Sequence, residues 1–223
     1  NGAFGAGLLT GWTRAGTRPE FTAVTGISTG ALAAPFAFLG PAWDPRLEEV
    51  YTTVSTKDLV RKTPLSAVTS SAIFSTRGLQ GIIARFFDAA VMDAVAAEFR
   101  DKGRQLTIGT TNLDALRPVI WNVGRIAASG HPDALKLIRK VLLASASIPI
   151  AFPPVHIDVE VDGRRYEEMH VDGGAAAQIF LYPAGLDWAR VLELLEVQGR
   201  PKVYLIRNAC HTPDWKAMKP LLL

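Results

Sequence analysis

The alternation of β-prone and helix-prone stretches along this chain predicts an α/β domain. Three observations carry that expectation. An apolar run, Phe21-Thr22-Ala23-Val24-Thr25, breaks at Gly26-Ile27-Ser28-Thr29-Gly30 and passes straight into Ala31-Leu32-Ala33-Ala34. Strand-like stretches at 105–111 and 118–123 are bracketed by helical ones. Asp162-Gly163 supplies the tight turn of a hairpin between 155–161 and 164–171.

Taken in chain order, Phe4, Leu8, Leu9 and Trp12 fall on one helical face and Gly16 offers a stop, so 2–16 is a helix leading into a strand at 21–25. Asp44-Pro45 is a cap followed by proline at the first helical position, opening a helix that reaches Tyr51. The stretch 55–75 is polar and irregular. Leu79, Ile82, Ile83, Phe86 and Phe87 form a strongly apolar helix face. Core is preferred over a lipid-facing role for it, because a helix packed on a sheet needs the same stripe. A second helix at 90–102 ends at Gly103. The strands at 105–111 and 118–123 join through Asn112-Leu113-Asp114, and a helix at 132–144 runs into the small residues of 144–149. The hairpin then delivers Asp172, and a helix at 187–195 and a strand at 202–207 follow.

With 223 residues, 48% of them hydrophobic, the chain is expected to form a single domain over 1–223 around one core. No run reaches the roughly 18 apolar residues that span a bilayer. Cys210 is the lone cysteine, which excludes an internal disulfide framework. Lys and Arg number 24 against 21 Asp and Glu, a scattered excess of +3 that forms no basic tract and supports no nucleic-acid partner.

The chemistry centres on Ser28. A strand that breaks at G-x-S-x-G and enters a helix is the pattern of a nucleophile elbow, which exposes one hydroxyl on a strained turn at a helix N-terminus. Side chains at Gly26 and Gly30 would be expected to crowd that turn. By itself the motif also describes an ordinary βα loop. A second element, Val171-Asp172-Gly173-Gly174, ends the hairpin, and its glycines allow Asp172 a close approach to another backbone. By itself Asp-Gly is also a common turn.

A serine needs a base to take its proton and N–H donors for the oxyanion. Of the four histidines, His131 reads as a surface residue and His156 as a strand residue without a partner. His170, two residues before Asp172, shares its strand face and is better read as structural than as a modulator of that carboxylate. His211 is the rival, since Ser28, Asp172, His211 follows the order of an α/β-hydrolase triad. Against it, such enzymes place several strands before the elbow, and here one helix and one strand precede Ser28.

Gly2-Ala3-Phe4-Gly5-Ala6-Gly7-Leu8-Leu9, Gly26-Ile27-Ser28-Thr29-Gly30, Ala144-Ser145-Ala146-Ser147-Ile148-Pro149 with Phe152-Pro153-Pro154, and Asp172-Gly173-Gly174 together resemble the patatin-like phospholipase family in order and spacing. Thr110-Thr111-Asn112-Leu113-Asp114 with Arg117-Pro118-Val119 resembles the family's segment between elbow and aspartate. The resemblance runs over nearly all of 1–180 and implies a three-layer α/β/α fold with a central, mostly parallel sheet. It also implies a Ser–Asp dyad, in which Ser28 attacks an acyl carbonyl and Asp172 accepts its proton without a histidine. Phospholipid or acylglycerol esters at a membrane or micelle surface would be the substrates, with no metal or organic cofactor. A peripheral membrane, periplasmic or secreted location goes with that reading.

One departure concerns the oxyanion loop. The family builds it from G-x-G-x-x-G, and only Asn1 and Gly2 stand where that loop would end. Asn1 takes a position that is Arg or Lys in many relatives, so the expectation is that the first strand and the earlier glycines lie upstream of residue 1. Thr29, Gly30, Gly173 and Gly174 complete the candidate site. Two other readings accompany the lipid hydrolase: an esterase or thioesterase for non-lipid substrates using the same dyad, and a catalytically silent lipid-binding protein.

Overall fold

The computed structural model describes residues 2–53, 61–62, 74–176 and 202–207. Helix α1 (Gly2–Arg14) leads to β1 (Ala23–Ile27) and α2 (Thr29–Leu39), and a single 3-10 turn separates α2 from α3 (Asp44–Thr53). A small antiparallel pair, β2 (Arg61–Lys62) and β3 (Phe74–Ser75), stands apart from the main sheet. Then come α4 (Arg77–Phe86), α5 (Ala89–Lys102), β4 (Gln105–Asn112), β5 (Arg117–Asn122), α6 (Val123–Ala127), α7 (Ala134–Ser145), β6 (Val155–Val161) and β7 (Arg164–Asp172).

Local chemistry sets several of these boundaries. Asp88 caps α5 by accepting the Val91 N–H at 3.0 Å, and Gly103 closes the helix in the left-handed region. Asn122 ends β5 and caps α6 through the Arg125 N–H at 2.8 Å, so strand and helix join with no intervening loop. The first strand lies two residues later than 21–25, because pairing with β4 extends through Ile27 opposite Gly109 and draws Gly26 into the strand. Residues 202–207 form no strand: none of the described strands pairs with them, and Tyr204 instead packs edge-on against Trp12 and Phe21. The expected helix at 187–195 lies outside the described residues.

Helices surround a mixed five-stranded sheet whose core pair, β1 and β4, is parallel, the arrangement of a three-layer α/β/α fold. Pairings of β4 with β5, β4 with β7 and β6 with β7 are antiparallel. Short connections dictate this: β6 turns into β7 across Asp162-Gly163, and β4 into β5 across residues 113–116. Thr107, Ile108 and Gly109 pair with β1 on one edge and with β5 on the other; Thr110, Thr111 and Asn112 pair with β5 and with β7. Strands β1 and β7 therefore share one edge of β4, running toward each other and ending at Gly109 and Thr110.

The core lies between this sheet and α2, α4, α5 and α7. Phe36, Phe38, Leu106, Ile108, Val91, Val95, Ile138 and Leu142 are essentially inaccessible. Leu79, Ile83, Phe86 and Phe87 are buried against them, which assigns the apolar face of 79–87 to the core. Helix α2 is buried along most of its length, so the carbonyls of its last turn cannot turn to water. Two arginines meet them. Arg18 donates to the Phe36 and Ala37 carbonyls and pairs with Asp44 at 2.8 Å, while Arg104 donates to the Phe38 and Phe21 carbonyls and to Glu98 at 2.6 Å. Positive charge at this end also complements the helix dipole.

Removing Arg104 takes a donor from the buried Phe38 carbonyl and from the Phe21 carbonyl, and leaves the Glu98 carboxylate with Lys102 alone. Arg104→Ala should lower unfolding stability by about 3 kcal/mol, measured by denaturant titration. Arg100→Ala, on an exposed face of α5, should change it by less than about 0.5 kcal/mol.

Candidate active site

Ser28 follows the last residue of β1 and precedes the first of α2, and its backbone is held at φ 56, ψ −131. A positive φ is unfavourable for a serine, so the surrounding packing must hold the turn in place. The cause lies on both sides. A Cβ at Gly26 would stand 2.6 Å from the Ala34 Cβ and 2.7 Å from the Gly30 carbonyl, so α2 can lie this close to β1 only over a glycine. Gly30 does not share that role: a Cβ there would meet nothing within 4 Å, because α2's first turn opens toward solvent at Thr29 and Gly30.

Asp172 arrives from the opposite direction as the last residue of β7, opposite Thr110. The Ser28 hydroxyl donates to Asp172 Oδ2 at 2.6 Å, the length of a hydroxyl bonded to a carboxylate. Oδ1 accepts the Gly174 N–H at 2.7 Å, so both carboxylate oxygens are oriented. The backbone of Asp172 is equally constrained: its N–H donates to the Ser147 carbonyl at 2.9 Å and its carbonyl accepts from Thr111 Oγ1 at 3.0 Å. Gly173 is demanded by contact, since a Cβ there would lie 2.6 Å from the Gly109 carbonyl. Asp172 is buried and Ser28 half-buried.

Ser145, at the end of α7, joins the two halves. Its hydroxyl accepts the Ser28 N–H at 3.0 Å and donates to the Gly109 carbonyl at 2.7 Å, and it is wholly buried. The sequence marks Ser145 only as one small residue among several, and nothing in its spacing points to Ser28, 117 positions away. Tyr51 is a second residue that sequence reasoning missed. Its hydroxyl donates to the Thr29 carbonyl at 2.8 Å, and burial pushes its pKa above the ordinary value, so it acts as a neutral donor. Gly2, at the start of α1, sits against the Tyr51 ring, where a Cβ would lie 2.5 Å from the hydroxyl. Asn1 lies outside the described residues.

His170 does not reach Asp172. Trp121 Nε1 donates to Thr110 Oγ1 at 2.8 Å, Thr110 Oγ1 meets His170 Nδ1 at 3.0 Å, and His170 Nε2 meets Glu168 at 3.1 Å. Both ring nitrogens are thus engaged by Thr110 and Glu168, a structural role for a fully buried histidine. His131 is exposed and accepts the Asp133 N–H, and His156 pairs with Glu167. His211 lies outside the described residues. A groove of about 630 Å³ between β5, β6 and the first half of α7 is lined by Trp121, Ile126, Leu137 and Ile157 and contains neither Ser28 nor Asp172. Among the described residues no helix is long and apolar enough to cross a membrane, and no group of three or more His, Cys, Asp or Glu stands ready for a metal.

Ser145→Ala would leave the Ser28 N–H and the Gly109 carbonyl without their shared partner. Phosphonylation of Ser28 by a fluorophosphonate should then slow by about ten- to a hundredfold, the loss of roughly 1–3 kcal/mol of orientation. Ser145→Thr, which keeps the hydroxyl, should recover part of that rate.

No curated protein matches the sequence. The family model described as patatin-like phospholipase matches residues 1–184, a span that includes the elbow, the end of α7 and the Asp172 turn. The chain belongs to the patatin-like phospholipase family, whose members are hydrolases acting on lipid esters.

Proposed function

We propose that this protein is a serine lipid acyl hydrolase that cleaves phospholipid or acylglycerol ester bonds with Ser28 as nucleophile and Asp172 as its base. The observation that carries the reading is the 2.6 Å hydrogen bond from the Ser28 hydroxyl to Asp172 Oδ2, at a strained turn heading a helix. In the first step Ser28 Oγ bonds to the acyl carbonyl carbon while its proton passes to Asp172. The tetrahedral intermediate collapses by breaking the bond to the leaving alcohol, which takes that proton from Asp172. Water then attacks the acyl-enzyme and gives a proton to Asp172; the acyl–Ser28 bond breaks, Ser28 recovers the proton and the carboxylic acid departs.

Asp172 replaces the usual histidine at no cost in reach, because its carboxylate already touches the hydroxyl. Gly174 contributes by holding the other oxygen, which keeps Oδ2 turned toward Ser28. For the oxyanion, the exposed start of α2 at Thr29 and Gly30 offers N–H groups that lack partners within the helix, with the positive end of its dipole behind them. The loop ending at Asn1 and Gly2 would supply the remaining donors, and Tyr51 links Gly2 to the Thr29 carbonyl. One well-placed donor is worth about a hundred- to a thousandfold in rate.

Ser28→Ala should bring release of fatty acid from phospholipid and acylglycerol emulsions to background. Asp172→Asn should lower kcat by about a hundred- to ten-thousandfold, because the amide cannot accept the proton. His211→Ala should leave both kcat and KM within about twofold; a loss equal to that of Ser28→Ala would replace the dyad with a triad.

A further inference from the structure

We infer that the turn Ile148-Pro149-Ile150-Ala151-Phe152 is the element that docks this protein onto a phospholipid surface, with Ile150 at its tip and Ile148 beside it. The inference rests on the lipid substrate proposed above. Ile148 is 51% and Ile150 75% exposed, with Pro149 exposed between them. From Val141 to Val155 the chain carries no charged residue. An exposed apolar tip set in an uncharged run suits insertion among acyl chains and has no groups to pair with a polar protein partner.

Its position argues for the same occupant. Ser145 holds the Ser28 N–H and the Ser147 carbonyl holds the Asp172 N–H, so the turn begins directly after the two residues that anchor the site. A surface engaged by Ile148 and Ile150 is thereby registered against the Ser28 hydroxyl. An ester bond lying at the boundary of a bilayer has to be brought to that hydroxyl, and a docking element elsewhere on the molecule would leave it unaligned.

The turn is also stiff. The Phe152 N–H donates to the Ile148 carbonyl at 2.9 Å and closes it, Pro149 lies within it, and Pro153-Pro154 follow. Ile150 has φ 73, a conformation that a β-branched residue adopts only under strain. Asparagine or glycine would relieve that strain, and the fold gains no packing from a side chain that is three-quarters exposed. Preorganised exposure is what an insertion tip requires, since no ordering remains to be done at the surface.

The test uses the full-length protein. Ile150→Asn is compatible with the positive φ and removes the apolar tip; Ile148→Ser/Ile150→Asn removes both contacts. Binding is measured by sedimentation with phosphatidylcholine vesicles in the Ser28→Ala background, and hydrolysis of a monomeric short-chain ester is measured with Ser28 intact. Ile150→Asn should weaken vesicle binding by about tenfold and the double variant by more, from the apolar area withdrawn from the bilayer, while ester hydrolysis stays within about twofold. Ile150→Trp should strengthen vesicle binding. Unchanged vesicle binding in the double variant, or no vesicle binding by the parent, overturns the inference. So does a parent dimer in solution that Ile150→Asn dissociates, which would assign the turn to a second copy of the chain. Vesicle binding that depends on Ile150 in a protein hydrolysing no lipid ester would sink the proposed activity and leave the docking surface standing.

Discussion

One edge of β4 carries two strands, and the site is a consequence of that sharing. Strand β1 occupies the edge as far as Gly109, and β7, running the other way, takes it over at Thr110. The C-terminal ends of the two strands consequently meet, and the residues at the meeting point are Ser28 and Asp172. A sheet fixes strand positions through its ladder of backbone hydrogen bonds, so the separation between the two side chains is set by β4 more than by either loop. Gly173 makes the junction possible, since β7 can turn away at its end only by passing against the Gly109 carbonyl with no Cβ between them.

The helices serve this junction from two sides. Helix α2 leaves Ser28 at once and is drawn onto β1 over Gly26, which bends the chain sharply enough to strain the serine. Buried at its far end, α2 depends on Arg18 and Arg104 to meet carbonyls that water cannot reach. Helix α7 contributes its last residue, Ser145, whose hydroxyl spans from the elbow N–H to the Gly109 carbonyl. Ser28, the strand that ends at Asp172 and the central strand are thus joined by hydrogen bonds that converge within the sequence Gly109-Thr110-Thr111, and the same end of α7 leads into the exposed turn at 148–152.

Where sequence reading succeeded, the signal was local. The Gly26-to-Gly30 elbow, the Asp162-Gly163 hairpin, the Gly103 stop and the apolar stripe of 79–87 each express a conformational preference within a few residues. Its errors were of one kind as well. The strand at 21–25 was displaced because β-propensity says nothing of where a partner lies; 202–207 has strand composition without a partner among the described strands. Gly30 resembled Gly26 in the motif, yet one faces solvent and the other a helix.

The order of residues alone therefore determined that a serine would stand between a strand and a helix, that an aspartate would end a hairpin, and that both belong to an α/β domain. Local sterics of glycine and proline and the period of apolar residues suffice for that much. Only the tertiary structure decided that the hydroxyl and the carboxylate touch, that His170 answers to Thr110 and Glu168 instead of Asp172, and that Ser145 and Tyr51 hold the elbow. Each of those contacts joins elements far apart in the chain, and their geometry is set by strand pairing and helix packing, which no short stretch of sequence encodes.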